Sequence, residues 1–231
     1  MSQLNILSGG AAHGLVTSLT PAFKAKTGFD ISGEFGAVGG MADKLRNGVA
    51  TDIIILTQAL VGKLAEEKLV VPSSITDVGL VETALAVRSG DAKVIVNNAD
   101  DLRAAFLAAD AIFVPDIKAS TAGIHVAKVL TQLGIAEEVA TRLKIYPNGA
   151  TAMGELAVSS AKRPIGCTQS TEIIATRGVE LSGSLPKGCE LATMYTAGVT
   201  TSAAHAGEAQ ALIALLASPD AREHRARAGF L

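Results

Sequence analysis

Short apolar segments of strand length alternate with longer segments of helical periodicity along most of the chain. The first third predicts strands at Leu4–Leu7, Ile31–Phe35 and Ile53–Leu56, separated by helices at Leu15–Thr27, Met41–Asn47 and Gln58–Lys68. After Pro72 the predicted strands are Glu82–Arg88, Ala111–Val114, Ile165–Thr168 and Leu191–Thr200, and the predicted helices are Ala99–Ala109, Ile124–Leu133, Ala152–Ser160 and Ala206–Ala217. Such alternation is typical of an α/β fold with a parallel sheet.

Two glycine-bearing turns stand where a predicted strand runs into a predicted helix. They are Leu7–Gly14 and Phe35–Gly40. The first N–H groups of a helix have no acceptor within the helix, and the helix dipole favours negative charge at that end. We therefore expect both turns to contribute to one anion-binding site.

Three further polar loops lie at the end of a predicted strand or open a predicted helix. They are Pro115–Gly123, Pro147–Thr151 and Gly166–Glu172. Ser120 and Thr121 suit both capping of the next helix and donation to a ligand. Ligands of open α/β sheets bind at the carboxyl ends of the strands, so these loops predict a cleft lined by neutral donors.

Composition and charge argue against nucleic acids and membranes as partners. The chain has 231 residues, 48% of them hydrophobic, with a formal net charge of −2. Aromatic residues make up only 3%, and Trp is absent, so the stacking surfaces and basic stripe typical of nucleic-acid binding are missing. No apolar run reaches the roughly 18 to 20 residues of a membrane span. We expect no nucleic-acid partner and no membrane insertion.

The start of the chain and the two cysteines leave the compartment open. Met1–Leu4 lacks the basic and apolar regions of a secretory signal, so the protein is cytoplasmic or its signal segment is not part of this sequence. Cys167 and Cys189 are interpreted as buried small apolar residues, with a single disulfide as the alternative in an oxidising compartment.

No cofactor or metal motif is present. Neither Gly-x-Gly-x-x-Gly nor a phosphate-binding Gly-x-x-x-x-Gly-Lys occurs, and no Gly-x-Ser-x-Gly marks a hydrolase nucleophile. The four histidines and two cysteines lack metal-ligand spacing. We expect no cofactor and no metal site.

In order along the chain, these segments resemble the substrate-binding proteins of molybdate-type ABC transporters, with the type II periplasmic-binding-protein fold. The resemblance spans nearly the whole chain. It depends on the pieces Leu7–Gly14, Phe23–Gly28, Phe35–Gly40, Asn47–Ile55, Thr121–Ile124, Pro164–Gly166, Tyr195 and the C-terminal segment from Ser218–Ala221 to Gly229–Phe230.

The resemblance implies two Rossmann-like lobes joined by crossing hinge strands, with a ligand cleft between them. Lobe 1 would comprise residues 1–84 and 199–231, and lobe 2 residues 85–198. It implies no catalysis, a monomer, a periplasmic location if the chain is secreted, and an ABC permease as partner. The two oxyanion-binding serines of the family fall here at Ala11 and at Ala37 or Val38, the second-lobe contacts at Ala122 and Thr151, and the tyrosine at Gln169.

The alanines at the serine positions favour a small anion other than molybdate, such as a carboxylate. The candidate ligand-binding residues are Ser8, Gly9, Gly10, Ala11, His13, Ala37, Val38, Gly39, Ser120, Thr121, Ala122, Thr151, Thr168 and Gln169. The main hypothesis is a solute-binding protein. The alternative is a cofactor-independent isomerase of a small unsaturated polycarboxylate such as aconitate, with His13 as the base and Glu155 or Asp116 as less favoured choices.

Overall fold

The structure is a computed structural model that describes residues 2–231. The chain divides into two compact units. Unit 1 consists of the chain up to Val81 together with Thr193–Leu231, and unit 2 consists of Glu82–Ala192. The divisions predicted from the sequence, after residues 84 and 198, lie slightly later along the chain in both cases.

The described residues form nine strands, numbered in chain order as β1 (Gln3–Gly9), β2 (Asp30–Gly36), β3 (Ile53–Thr57), β4 (Thr76–Arg88), β5 (Ala111–Pro115), β6 (Leu143–Tyr146), β7 (Pro164–Gln169), β8 (Val179–Ser184) and β9 (Ala192–Val199). The α-helices are α1 (His13–Thr27), α2 (Val38–Arg46), α3 (Gln58–Glu66), α4 (Ala99–Ala108), α5 (Thr121–Gln132), α6 (Ala136–Val139), α7 (Gly149–Ala157), α8 (Ser170–Ala175), α9 (Ala206–Ala217) and α10 (Arg222–Arg227). None of these helices is both long enough and apolar enough to cross a membrane.

The sheet of unit 1 has the strand order β2-β1-β3-β9. β1 is parallel to β2 and to β3, and β9 runs antiparallel to β3. The chain reaches β2 through α1 and crosses back to β3 through α2. Because such crossovers are right-handed, the two helices cover opposite faces of the sheet. A strand covered on both faces is apolar throughout, as in Ile53–Leu56, where every residue is fully buried.

The sheet of unit 2 repeats this pattern. β5 is parallel to β6 and to β7, and the order is β7-β5-β6, with β4 antiparallel to β7 and β8 antiparallel to β4. The chain passes from β5 to β6 through α5 and from β6 to β7 through α7. In topology, α5 therefore corresponds to α1, and α7 corresponds to α2.

The two faces of the unit 2 sheet have separate cores. On one face, Leu85 and Cys167 share a buried cluster with Val126 and Leu130 of α5. On the other face, Phe113 packs in a cluster with residues of α7 that include Met153 and Leu156. This arrangement places the N-termini of α5 and α7 on opposite faces at the carboxyl edge of the sheet.

The structure adds elements that the apolar pattern does not reveal. β6 and β8 are mostly half-buried or exposed, so they lack the continuous apolar run that predicts a core strand. β4 begins at Thr76, six residues before the predicted strand, because its first half carries polar and glycine positions. The thiols of Cys167 and Cys189 are both free and buried, and burial raises the pKa of Cys167 to about 12.

Asp52 provides a test of how unit 1 is held together. Its buried carboxylate accepts hydrogen bonds from the backbone N–H groups of Asn5 (2.8 Å) and His205 (2.9 Å). We expect Asp52→Ala to lower the free energy of unfolding by about 1–3 kcal/mol in urea titrations, because both N–H groups lose their acceptor. The control Asp43→Ala removes a 69% exposed carboxylate paired with Arg46, and we expect a loss of at most about 1 kcal/mol. Equal losses for the two variants would contradict this role of Asp52.

Candidate functional site

The two glycine-bearing turns of unit 1 lie side by side at one edge of the sheet. β1 and β2 are parallel and end in register, with Gly9 opposite Gly36. A 3-10 turn at Gly10–Ala12 leads from Gly9 directly into α1, and Ala37 leads from β2 into α2. The N-termini of two helices therefore begin next to each other, at the carboxyl ends of neighbouring strands.

These helix N-termini are not satisfied by side chains. Neither Gly9 nor Ala37 makes a side-chain capping bond, and no acidic residue lies in the first turn of either helix. In α2 the first backbone N–H with an acceptor in the preceding turn is that of Met41, which donates to Ala37 O at 3.0 Å. The N–H groups of Val38–Gly40 have no acceptor within the helix. By contrast, Asn98 caps α4.

A third helix of unit 1, which is not among the candidates predicted from the sequence, begins in the same way. β3 is parallel to β1 and ends at Thr57, and α3 begins at Gln58 without a side-chain capping bond or an acidic first turn. Three helix N-termini of unit 1 thus begin at the same sheet edge. A Thr before a helix is a common N-cap, so its sequence signal points to capping rather than to an open N-terminus.

Because Gly9 has no side chain, the side chains of Tyr195 and Val38 pack against the end of β1. A Cβ atom at this position would lie 2.9 Å from both Tyr195 Cε1 and Val38 Cγ1. Tyr195 is buried and stands opposite Thr57 in the antiparallel pair of β3 and β9. The ring of His13, an exposed residue, lies 4.5 Å from the ring of Phe35. His13 and Tyr195 therefore both belong to the surroundings of the two turns.

In unit 2, the N-terminus of α5 is open like those of unit 1. Ser120 precedes the helix but makes no side-chain capping bond, and the first turn carries no acidic residue. The first helical N–H with an acceptor in the preceding turn is that of Ile124, which donates to Ser120 O at 2.9 Å. The N–H groups of Thr121, Ala122 and Gly123 have no acceptor within the helix.

The loop before α5 is held by Asp116. Its Oδ1 accepts from the backbone N–H groups of Lys118 (2.7 Å) and Ala119 (2.8 Å). These hydrogen bonds lower the pKa of the Asp116 carboxyl. A carboxylate stabilised in this way is a weaker base, which disfavours Asp116 as a catalytic base. Glu155 lies on the second turn of α7 and is exposed.

The N-terminus of α7, in contrast, is filled by side chains of unit 2. Asn148 Oδ1 accepts from Thr151 N (2.8 Å) and from Thr151 Oγ1 (2.9 Å). The buried carboxyl group of Glu172 accepts from the N–H groups of Gly149 and Ala150. Burial raises the pKa of Glu172, and its hydrogen bonds oppose that shift.

Gln169 ends β7 on the face of the sheet that packs against α5. Side chains alternate along a strand, and Cys167 belongs to the cluster that includes α5, so Gln169 lies on the same face. Thr83 of β4 is directly opposite Gln169 in the antiparallel pair, and side chains opposite one another share a face.

Both residues carry buried polar atoms without partners in the described chain. Gln169 is 2% exposed and Thr83 is 1% exposed. Neither Nε2 nor Oε1 of Gln169 has a hydrogen-bond partner, and neither does Thr83 Oγ1. An unsatisfied buried polar group costs roughly 1–3 kcal/mol, so such groups are candidates for contact with a ligand or an ordered water.

The structure therefore separates the sequence candidates into two groups. The hydroxyl groups of Ser8, Thr151 and Thr168 are already engaged by Gly9 O, Asn148 Oδ1 and Glu172 Oε2 respectively. The remaining candidates lie at open helix N-termini or carry unpartnered polar atoms: Gly9, Gly10, Ala11, His13, Ala37, Val38 and Gly39 in unit 1, and Ser120, Thr121, Ala122 and Gln169 in unit 2.

Comparison with known proteins identifies relatives over the whole chain. The family model described as bacterial extracellular solute-binding protein matches residues 4–231. Among curated proteins, the chain is 24% identical over 229 residues to an aconitate isomerase from Pseudomonas sp., covering 96% of this chain and 84% of that protein.

Among solved structures, the periplasmic molybdate-binding protein of Azotobacter vinelandii is similar with a TM-score of 0.81 and 18% identity, covering 99% of this chain and 98% of that one. The sulfate-binding protein SubI of Mycobacterium tuberculosis H37Rv is similar with a TM-score of 0.77 and 18% identity, covering 100% and 86% respectively. The predicted fold class and family resemblance are confirmed.

The close packing at Gly9 gives a prediction on stability. We expect Gly9→Ala to lower the free energy of unfolding by about 1–3 kcal/mol, because the new methyl group must displace the Tyr195 ring or the Val38 side chain. The control is Gly40→Ala in α2, where a Cβ meets no atom within 4 Å. Alanine has the higher helix propensity, so this control stabilises by up to about 1 kcal/mol. Urea unfolding of both variants measures the difference, and a neutral Gly9→Ala would contradict the packing.

Proposed function

Because the chain belongs to the family of bacterial extracellular solute-binding proteins, we propose that it binds a small anion and delivers it to the permease of an ABC uptake system. The ligand is a carboxylate or another small oxyanion, held by backbone N–H donors at the starts of helices. The observation that carries this proposal is the set of helices α1, α2, α3 and α5, which start at sheet edges without a side-chain cap or an acidic first turn.

Helix N-termini of this kind attract anions for two reasons. Their first N–H groups need acceptors, and the helix dipole places partial positive charge on the same atoms. One terminus contributes about 0.3–1 kcal/mol toward an anion, and up to about 2 kcal/mol where it is partly buried. Several termini together account for specific binding without an Arg side chain.

The unpartnered amide of Gln169 supports a carboxylate rather than a fully ionised oxyanion such as molybdate. An amide offers hydrogen-bond donors on Nε2 and an acceptor on Oε1, whereas a fully ionised oxyanion offers acceptors only. A ligand that satisfies both ends of the amide carries a donor of its own, such as a hydroxyl group or a protonated carboxyl group. Small hydroxycarboxylates and partly protonated polycarboxylates have this chemistry.

A second candidate function is isomerisation of a small unsaturated polycarboxylate. Two observations favour it: the aconitate isomerase that is 24% identical to this chain, and the placement of the exposed His13 beside the two turns of unit 1. In such a reaction a base removes a proton from a CH₂ carbon next to a carboxylate, the double bond shifts, and the proton is returned to the former vinyl carbon. His13 would carry the proton, and helix N–H groups would stabilise the negative charge that develops.

One experiment distinguishes the two functions. The purified protein is screened by thermal shift against molybdate, tungstate, sulfate, phosphate and small di- and tricarboxylates, and each stabilising compound is then incubated with protein and followed by proton NMR. A ligand at 100 times its Kd stabilises by about 2.7 kcal/mol, which is measurable. We expect stabilisation by a carboxylate that remains unchanged. Interconversion of vinyl and methylene signals would establish the isomerase instead, and stabilisation by none of the compounds would contradict anion binding.

Gly39→Val tests whether the open N-terminus of α2 contacts the ligand. We expect the affinity for the carboxylate found in the screen to fall at least tenfold, because a branched side chain at the second position of the helix covers the neighbouring N–H groups. Fold stability changes little, since valine is a better helix former than glycine. Calorimetric titration measures the affinity. The control is Gly62→Val in α3, where a Cβ meets no atom within 4 Å. Retained affinity in Gly39→Val would remove this turn from the site.

A further inference from the structure

The repeated topology of the two units allows their helix N-termini to be compared pairwise. α1 and α5 each follow the central strand of the β-α-β-α-β pattern, and α2 and α7 each follow the second strand. α1, α2 and α5 begin without side-chain caps. α7 differs from its counterpart α2, because its N-terminus already holds a carboxyl group of the chain itself.

All three N–H groups at the start of α7 have acceptors. Those of Gly149 and Ala150 donate to the Glu172 carboxyl group, and that of Thr151 donates to Asn148 Oδ1 at 2.8 Å. The same carboxyl group accepts from the Gln169 backbone N–H and from Thr168 Oγ1 at 2.6 Å. Glu172 is 6% exposed. Four donors thus surround one buried carboxyl group, an arrangement like that of a bound anion.

The carboxyl group of Glu172 occupies the space that a side chain at position 149 would need. A Cβ on Gly149 would lie 1.9 Å from Glu172 Oε2 and 2.3 Å from Thr168 Oγ1. Any other residue type would push the carboxyl group away from the helix. The glycine and the acid are 23 positions apart in sequence, yet each is required for the contact that the other makes.

We propose that Glu172 determines ligand specificity by permanently occupying the N-terminus of α7. This inference rests on the proposed function. With this position closed, the N-terminus of α5 is the helix start of unit 2 that remains open to an anion, and the region next to Glu172 and Thr168 takes no further anion. With one open helix N-terminus instead of two, unit 2 then favours a singly charged carboxylate over a dianion such as sulfate.

The test uses Glu172→Ala, which leaves Gly149 N–H and Ala150 N–H without their acceptor and opens a space of the size of a carboxylate. Thermal unfolding is measured with formate, acetate and sulfate, for the wild-type protein and the variant. We expect formate and sulfate to raise the Tm of Glu172→Ala at concentrations at least tenfold below those that affect the wild-type protein. Equal responses of the two proteins would overturn the proposal.

Two further variants separate specificity from a purely structural role. Glu172→Gln keeps the shape of the side chain and replaces one of the two acceptor oxygens by an amide donor. This weakens its contacts with the backbone N–H groups, so we expect the apparent affinity for sulfate, relative to the carboxylate found in the screen, to rise at least tenfold. It also carries the test if Glu172→Ala does not fold. The control Glu180→Gln makes the same substitution at an exposed position of β8 and leaves the ratio unchanged. A ratio in Glu172→Gln that equals the wild-type ratio would reduce Glu172 to a structural cap and overturn the proposal.

The response to formate and sulfate does not depend on the physiological ligand. If no compound in the screen binds the wild-type protein, the proposed function fails, and the gain of sulfate binding in Glu172→Ala or Glu172→Gln still decides whether α7 is an anion position closed by Glu172. If a carboxylate binds the wild-type protein but a folded Glu172→Ala or Glu172→Gln variant does not gain sulfate binding, the proposed function stands and the role of Glu172 is wrong.

Discussion

The rest of the structure depends on one constraint: the first backbone N–H groups of a helix have no acceptor within the helix. Here they arise at the ends of parallel strands. β1 and β2 end in register, β2 and β3 pass into α2 and α3 with at most one intervening residue, and longer segments join β1 to α1 and β5 to α5. An Asn, Ser or Asp side chain would normally satisfy them, as Asn98 does in α4. At α1, α2, α3 and α5 no such side chain does so. Unsatisfied donors at a sheet edge favour an acceptor from outside the chain.

The packing around these donors explains how they stay open. Gly9 allows Tyr195 and Val38 to approach the end of β1. Gly123 allows α5 to pack closely against the preceding loop, because a Cβ on Gly123 would lie only 2.2 Å from Asp116 O. At both positions the missing Cβ allows close packing next to a helix start. At Gly149 the missing Cβ also leaves space, but the carboxyl group of Glu172 fills it and closes the helix N-terminus. The starts of α2 and α7 therefore differ through two side chains of α7's surroundings, those of Asn148 and the more distant Glu172.

The sequence predicts the parts of this arrangement that are local. The turns Leu7–Gly14 and Phe35–Gly40 are visible because apolar strands precede them and glycine permits a tight passage into a helix. The roles of Thr83 and Glu172 are not visible, because they depend on contacts between elements far apart in the chain, β4 against β7 and α8 against α7. Thr151 carries a hydroxyl group that could donate to a ligand. Its hydroxyl group and its backbone N–H both donate instead to Oδ1 of Asn148, three residues earlier.

The most direct measurement is the change in amide chemical shifts in a ¹H–¹⁵N NMR spectrum on titration with the compound that stabilises the wild-type protein most. If the ligand is held by open helix N-termini, the amide protons of Gly10, Gly39 and Ala122 shift downfield as they gain an acceptor. The amide of Gly149, which already donates to Glu172, changes little. Saturable binding that leaves the amides of Gly10, Gly39 and Ala122 unchanged would contradict anion recognition by these helix N-termini.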